Sequence, residues 1–295
     1  AVGFDVIFSE RDETSGIRML DQVARDQPNL KPQIDQLRTR LDYDQRFAHS
    51  IHDRPVVLGM SFLGTREQKG QLPTPVFTQT QLPETLVSPM VRLGYTANLS
   101  LLQQAATDAG HINPIVDPDG VIRRIPMLIA HADGYYESLG LATARTVLAG
   151  LPLQGLLAPG ADINTYGGLE ALDVGGAPLP VDTQLASFIP FRGGFKSFDY
   201  VSAANVIRGN VPEEQLTGKI ILVGTTAPGL LDLRVTPVSN AYPGVEIHAN
   251  LVAGILDGNI KQAPLWVNTI NLGLTLIIGG ALTLLLPWLG LLWSS

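Results

Sequence analysis

Polar side chains that could bind a small ligand gather around one apolar strand and the helix that follows it. Residues 218–226 contain four consecutive aliphatic residues bounded by glycines, which is typical of a strand covered on both faces. Ligands of open α/β sheets bind beyond the carboxyl ends of the strands, and free N–H groups at a helix start favour anions. We therefore predict a pocket for a small polar or anionic ligand. The candidate ligand-binding residues are Thr225, Thr226, Asp232, Arg234, Glu246, His248 and Asn250.

The same residues also have a purely structural interpretation. Thr225 and Asp232 could cap a loop, and Arg234 could pair with Asp232. His248 could be a hydrogen-bonded residue of the core. The sequence leaves both interpretations open.

The patterns of common catalytic sites are missing from this region. Residues 224–227 do not form the Gly-x-Ser-x-Gly turn of a serine hydrolase, and a phosphate-binding loop would need Gly-Lys-Ser/Thr at its end. Glu246 and His248 lack the histidine pair of a helical zinc site, and the chain has no cysteine. We expect no catalytic residue, metal or cofactor here. The alternative is a membrane-anchored extracytoplasmic hydrolase that uses Thr225, Asp232 and His248.

A second charged group surrounds an Asp-Pro-Asp-Gly turn. Asp117 and Asp119 face Arg123 and Arg124 across a predicted hairpin. Ion pairing is the default interpretation, and an anion-sensing arginine is the alternative. Asp5 lies in the first apolar strand and needs a partner if it is buried, because an isolated buried carboxylate is costly.

The elements that would position these residues indicate an α/β fold. Apolar strands alternate with amphipathic helices, which predicts a mixed, largely parallel sheet flanked by helices, with an antiparallel hairpin as an elaboration. Two stretches look irregular, and the later one suggests a subdomain boundary or a flexible flap. The expected strands are 3–8, 55–60, 110–116, 121–129 and 218–226; the expected helices are 17–53 (two helices), 136–149, 202–207 and 245–256; the irregular stretches are 63–93 and 150–187.

The C-terminal stretch predicts a membrane region. Residues 262–295 carry no charge, and 267–286 are predominantly apolar over a length that crosses a bilayer. A turn at 287–290, rich in Pro, Trp and Gly, would be followed by the start of a second span; a single kinked span is the alternative. We thus expect a large water-soluble region at 1–261 that is tethered to a membrane region at 262–295, with lipid as a partner. This arrangement is typical of a receptor, a membrane-anchored enzyme or a sensor.

Bulk properties exclude one class of partner. The formal net charge is −7 and no basic cluster occurs, which argues against nucleic-acid binding. The chain opens directly in a strand, with no initial Met and no signal peptide, so we expect a fragment cut at both ends.

Three segments resemble one family of sensors. They are residues 3–10 (GFDVIFSE), 117–126 (DPDGVIRRIP) and 218–250, which contains GKIILVGTTAPGLLDLR and YPGVEIHAN. Each is similar to the cyclase- and histidine-kinase-associated sensory extracellular domain of the second type.

The resemblance implies a periplasmic sensory domain in the inner membrane that passes its state to a cytoplasmic output. That output is most often an adenylate or guanylate cyclase and otherwise a histidine or serine/threonine kinase. The family also implies a homodimer. Compared with the family's pattern, this chain is expected to be a fragment that lacks a first strand and the membrane helix before it. It supplies no ligand, so the small extracytoplasmic ligand is unknown and no residue is carried over as a binding residue. A plain adhesion or assembly module is the other rival.

Overall fold

Short strands and helices alternate along the chain in the computed structural model. It describes residues 1–83, 85–162, 168–226, 233–261 and 266–285. The strands are β1 (Val2–Phe4), β2 (Val56–Leu63), β3 (Gln68–Lys69), β4 (Phe77–Thr78), β5 (Met90–Val91), β6 (Gly94–Thr96), β7 (Asp108–His111), β8 (Ile115–Val116), β9 (Ile122–Pro126), β10 (Leu128–His131), β11 (Gly134–Glu137), β12 (Leu153–Leu157), β13 (Leu169–Val174), β14 (Ala177–Pro180), β15 (Ala186–Phe188), β16 (Ile221–Val223), β17 (Leu233–Thr236) and β18 (Ser239–Pro243).

The helices fall into two compact units, Ala1–Lys261 and Gln262–Ser295. The α-helices are α1 (Ile17–Asp26), α2 (Lys31–Leu41), α3 (Tyr43–Ile51), α4 (Ser100–Ala105), α5 (Leu139–Val147), α6 (Ala203–Ile207), α7 (Gly244–Leu256) and α8 (Trp266–Leu285), and single 3₁₀ turns lie at Pro28–Leu30 and Glu213–Gln215.

A six-stranded mixed sheet forms the centre of the first unit. β1 lies between β16 and β2 and runs parallel to both, and β7 runs parallel to β2. The second half of β2 pairs antiparallel with β6, which in turn runs parallel to β3. The predicted mixed α/β fold is therefore confirmed.

β2 is buried on both faces. Its even-numbered residues from 56 to 62 belong to a core that also contains residues of α3 and α4. Val57 points the other way and packs with Leu139 and Ala142 of α5. Side chains alternate between the faces of a strand, so a strand covered by helices on both sides must be apolar throughout. That is why residues 56–60 read as an uninterrupted apolar run.

The predicted hairpin around the Asp-Pro-Asp-Gly turn is confirmed. β8 and β9 pair antiparallel, and β15 adds to the other side of β9. Gly120 has a φ of 81° and its N–H donates to the Asp117 carbonyl oxygen at 2.8 Å. Glycine suits this position because it adopts positive φ without a steric penalty.

The prediction of an irregular excursion at 63–93 is wrong. β4 and β5 from this stretch join β10 and β11 in a four-stranded sheet. Phe77, Leu82 and Leu86 are buried in the larger core. The buried residues are separated by prolines and polar residues, so no periodicity reveals them in the sequence.

The prediction of weak structure at 150–187 is also wrong. β12, β13 and β14 form an antiparallel meander, and Leu172 is completely buried. Val174 pairs with Ala177 across a two-residue turn in which Gly175 and Gly176 both have positive φ. Such turns join the strands of tight hairpins, so the Gly-Gly pair is a hairpin signal rather than a sign of flexibility.

Helix boundaries differ from the predictions at two places. The charged region 17–53 contains three α-helices rather than two. The helix expected at 136–149 begins only at Leu139, because residues 134–137 form β11. The helix α7 agrees with the predicted 245–256 to within one residue.

The second unit contains helix α8, where the sequence predicts a transmembrane helix at 267–286. α8 ends at Leu285, and residues 286–295, with the predicted turn at 287–290, lie outside the described part of the chain. Within the part that is described, no helix has both the length and the apolarity needed to cross a membrane. The predicted membrane span is therefore not supported.

Close packing between β7 and α5 makes a specific glycine necessary. A Cβ added at Gly110 would lie 2.5 Å from the Leu139 Cα, which is backbone. We expect Gly110→Ala to lower the free energy of unfolding by about 2 kcal/mol through overpacking. Urea unfolding measures this change. Gly64→Ala is the control because nothing lies within 4 Å of its added Cβ, and equal stability of the two variants would contradict the packing argument.

Candidate functional site

A pocket of about 170 Å³ lies where β1 and β7 end. Asp5 directly follows β1, and Ile112, Asn113 and Pro114 directly follow β7. The pocket is thus at the carboxyl edge of the parallel strands, where ligands of open α/β sheets bind. Its volume suits a small molecule. The lining residues are Asp5, Ser61, Ile112, Asn113, Pro114, Ile125, Arg234, Gly244, Ile247 and His248.

The backbone around the pocket is held by hydrogen bonds. The Asp5 N–H donates to the Val223 carbonyl oxygen at 2.8 Å, which continues the pairing of β1 with β16. The Asn113 carboxamide accepts from the Phe62 N–H at 2.8 Å and donates to the Phe62 carbonyl oxygen at 2.9 Å. Asn113 therefore fixes the loop after β7 against β2 and shapes the pocket wall.

The pocket contains a carboxyl group and a guanidinium group. Burial raises the pKa of Asp5 to about 6, and the positive charge of Arg234 opposes part of this rise. Asp5 is consequently ionised for the most part at neutral pH. The site then presents a hydrogen-bond acceptor with negative charge and a donor with positive charge, which suits a ligand that carries both kinds of group.

Behind this pocket lies a completely buried histidine. Burial, together with a smaller effect of the nearby His248, lowers the pKa of His111 to about 3. Neither ring nitrogen of His111 makes a well-formed hydrogen bond within the described residues, although the Pro126 carbonyl favours the charged form. His111 is therefore neutral at physiological pH.

The structure brings together only part of the predicted ligand-binding group. Arg234 and His248 line the pocket, and Asp5 joins them from the secondary group. Thr225 and Thr226 follow β16 but do not line the pocket, and Thr225 is exposed. Asp232 lies outside the described residues.

Glu246 and Asn250 face a different part of the protein. The buried Glu246 carboxylate accepts from the Ser197 N–H at 2.7 Å, the Lys196 N–H at 3.2 Å and the Tyr200 hydroxyl at 2.7 Å. Asn250 accepts from the Arg192 N–H at 2.9 Å. The two residues fasten segment 192–200 to α7, which is a structural role outside the pocket.

Removal of the Glu246 charge should loosen this segment. Glu246→Gln replaces an acceptor of three hydrogen bonds by a neutral amide, and we expect a loss of about 2 kcal/mol in unfolding free energy. Trypsin should also cut faster after Lys196, which peptide mass spectrometry would detect. The exposed Glu214→Gln serves as the control. Unchanged cleavage after Lys196 in Glu246→Gln would disprove the fastening role.

The residues of the hairpin group form ion pairs. Arg123 contacts Asp117 at 2.9 Å and Asp119 at 2.6 Å. Arg124 contacts Asp117 at 3.1 Å and Asp182 at 2.7 Å. Hydrogen bonds from Arg123 lower the pKa of Asp119 to about 2. Both arginines are engaged by carboxylates, so the geometry agrees with structural pairing rather than anion sensing.

Sequence reasoning missed a second cluster of buried charge. Glu137 is buried at the end of β11, and its carboxylate accepts from Arg145 of α5 at 2.5 Å. Asp108 at the start of β7 is near enough to couple with it electrostatically. An acidic residue next to an apolar run, as in residues 134–142, is the signal that could have pointed to this cluster.

The buried Glu137 should make stability depend on pH. Burial and the nearby Asp108 raise its pKa from 4.5 to about 8, against the effect of Arg145. The folded state therefore keeps a proton that the unfolded state has lost, and stability falls as pH rises toward 8. We expect the wild type to lose about 2 kcal/mol between pH 6.5 and 8.5.

Chemical denaturation across this pH range tests the assignment. Glu137→Gln should flatten the profile, whereas the exposed Glu170→Gln should retain it. A wild-type slope that persists in Glu137→Gln would assign the titration to another group.

The fold is an α/β domain with a pocket at the carboxyl edge of its parallel strands, and comparison with known families identifies the class of domain. The model of the CHASE2 domain matches residues 1–286. The chain therefore belongs to the CHASE2 family, whose members are extracellular sensory domains of signalling proteins. This confirms the family that the sequence motifs suggested. No curated protein and no solved structure gives a significant match.

Proposed function

We propose that this chain is the extracytoplasmic input module of a signalling protein and that it binds a small polar ligand in the pocket after β1 and β7. The observation that carries the proposal is the meeting of Asp5, Arg234 and His248 around one cavity. These residues come from distant parts of the sequence, so their convergence is a product of the fold. Family membership supports the sensory role.

The lining favours a ligand with both an anionic and a donor group. Arg234 and His248 can donate hydrogen bonds to a carboxylate. Asp5 can accept from an ammonium or hydroxyl group. A small amino acid or hydroxy acid has this combination, and its size fits a cavity of about 170 Å³.

Helix α7 offers a route for the signal within the first unit. Gly244, Ile247 and His248 of its first turns line the pocket, and the helix continues without interruption to Leu256. A sensor needs two conformations with different ligand affinity. A ligand that binds His248 more tightly in one position of α7 would bias the position of the C-terminal end of the helix.

The output that we propose is an adenylate or guanylate cyclase, with a histidine or serine/threonine kinase as the alternative. We further propose a homodimer in a membrane-bound protein of the inner membrane, with this domain in the periplasm. The support for these assignments is the family alone. Measurement of cyclic AMP and cyclic GMP in cells that express the natural protein would separate a cyclase from a kinase.

The alternative of a membrane-anchored hydrolase has little geometric support. Thr225 is exposed and does not line the cavity that contains His248. A nucleophile and its base must lie within hydrogen-bonding reach of each other or of a shared water. The described residues show no such contact between these two side chains.

Calorimetric titration with small ligands tests the proposed site. We expect at least one of glycine, serine, lactate and malate to bind the wild type. Arg234→Gln should weaken that binding at least tenfold, which corresponds to about 1.4 kcal/mol for a charged hydrogen bond. Thr225→Ala, outside the pocket, should bind like the wild type. Equal affinity of Arg234→Gln, or no binding of any of the four, would overturn the proposed site.

A further inference from the structure

A second pocket, of about 280 Å³, lies at the opposite end of β7. Asp108, the first residue of β7, lines it together with Thr107, Gln103 of α4, and Gln71 and Thr74 from the segment after β3. None of these residues lines the first pocket. The two pockets are therefore separate, with one at each end of the same strand.

Gln103 presents an unsatisfied acceptor at this pocket. Its side chain is only 8% exposed, and Oε1 accepts no hydrogen bond from the described residues. A buried polar atom without a partner lowers stability, because its lost hydration is not compensated. A ligand that donates a hydrogen bond to this atom would recover the lost stability.

Asp108 adds a partly buried carboxyl group, and burial raises its pKa. Its Oδ1 accepts from the Ala109 N–H at 2.8 Å. Behind it, Arg145 contacts Glu137 at 2.5 Å rather than Asp108 itself. Hydrogen bonds from Ala109 and Glu137 and the positive charge of Arg145 favour the ionised form of Asp108, so Asp108 presents an acceptor to the pocket.

The remaining polar groups also favour a ligand that donates hydrogen bonds. The Thr107 hydroxyl donates to the Arg54 carbonyl oxygen at 2.7 Å, so the hydroxyl oxygen of Thr107 can only accept hydrogen bonds from other groups. No lysine or arginine is among the described residues that line the pocket. An anion would find no positive charge here, whereas an ammonium group would find several oxygen acceptors.

We propose that this second pocket binds a small primary amine in its ammonium form. The ammonium group donates to the Asp108 carboxylate and to Oε1 of Gln103, and the rest of the ligand extends toward Thr74 at the exposed rim. A primary ammonium has three N–H donors, which matches a site that is rich in acceptors. This site is independent of the ligand proposed for the first pocket.

Titration calorimetry with ethanolamine tests the site, and ethylene glycol serves as the neutral probe of the same shape. We expect ethanolamine to bind the wild type at least tenfold more tightly than ethylene glycol. Asp108→Asn should remove this preference, and Arg234→Gln at the first pocket should keep it. Circular dichroism would confirm that both variants are folded.

A second variant keeps the test decisive if Asp108→Asn does not fold. Thr74→Trp fills the exposed rim without altering a buried charge, and it should weaken ethanolamine binding at least tenfold. The proposal is overturned if ethanolamine does not bind the wild type, if ethylene glycol binds equally well, or if the folded variants at Asp108 and Thr74 retain full affinity. Displacement of ethanolamine by equimolar potassium chloride would indicate a site for any monovalent cation and would also overturn it.

Discussion

The parallel pairing of β1, β2 and β7 is the constraint on which the rest of the structure depends. It requires β2 to be apolar on both faces, because α3 and α4 cover one face and α5 the other. The pairing also brings the backbone of Gly59 in β2 close to the backbone of β1. An added Cβ at Gly59 would lie 2.7 Å from the Phe4 carbonyl oxygen. The sheet therefore tolerates little change of register, and both ends of β7 keep a fixed geometry.

Fixed strand ends explain why polar groups can be held in an apolar surrounding. Burial of a carboxyl group without compensation is unfavourable, and the raised pKa values of Asp5 and Glu137 show that compensation here is incomplete. Each of these groups lies near an arginine, Arg234 or Arg145. Asp5 lines the first pocket and Asp108 lines the second, and carboxyl groups that are buried next to a cavity are candidates for binding, which is how we interpret these two.

The contrast between His248 and Glu246 shows how neighbouring residues on one helix take different roles. Glu246 is saturated by hydrogen bonds from segment 192–200, whereas His248 lines the cavity. Residues two positions apart point to different sides of a helix. A sensor of the CHASE2 family could use such a helix to connect ligand binding with the segments packed on it, because α7 contacts the pocket, β18 and α5.

The sequence by itself determined the features that depend on local chemistry. The apolar runs predicted the buried strands, the Asp-Pro-Asp-Gly turn predicted the β8–β9 hairpin, and the motifs predicted the family. It also placed Arg234 and His248 in one candidate group. These features follow from side-chain periodicity, turn preferences and short motifs, which are all contained in neighbouring residues.

Only the tertiary structure decided which polar residues share a site. Asp5 follows β1 and Arg234 lies in β17 of a separate hairpin, far along the sequence, and the fold brings both to the same pocket. The strands β4 and β5 in 63–93 pair with the distant β11 and β10, so local pattern could not reveal them. The meander in 150–187 pairs locally, but its buried face packs against the core formed by other segments. Asp108, Gln103 and Glu137 likewise acquire their roles from burial, and burial is a property of the packed fold rather than of any segment of sequence.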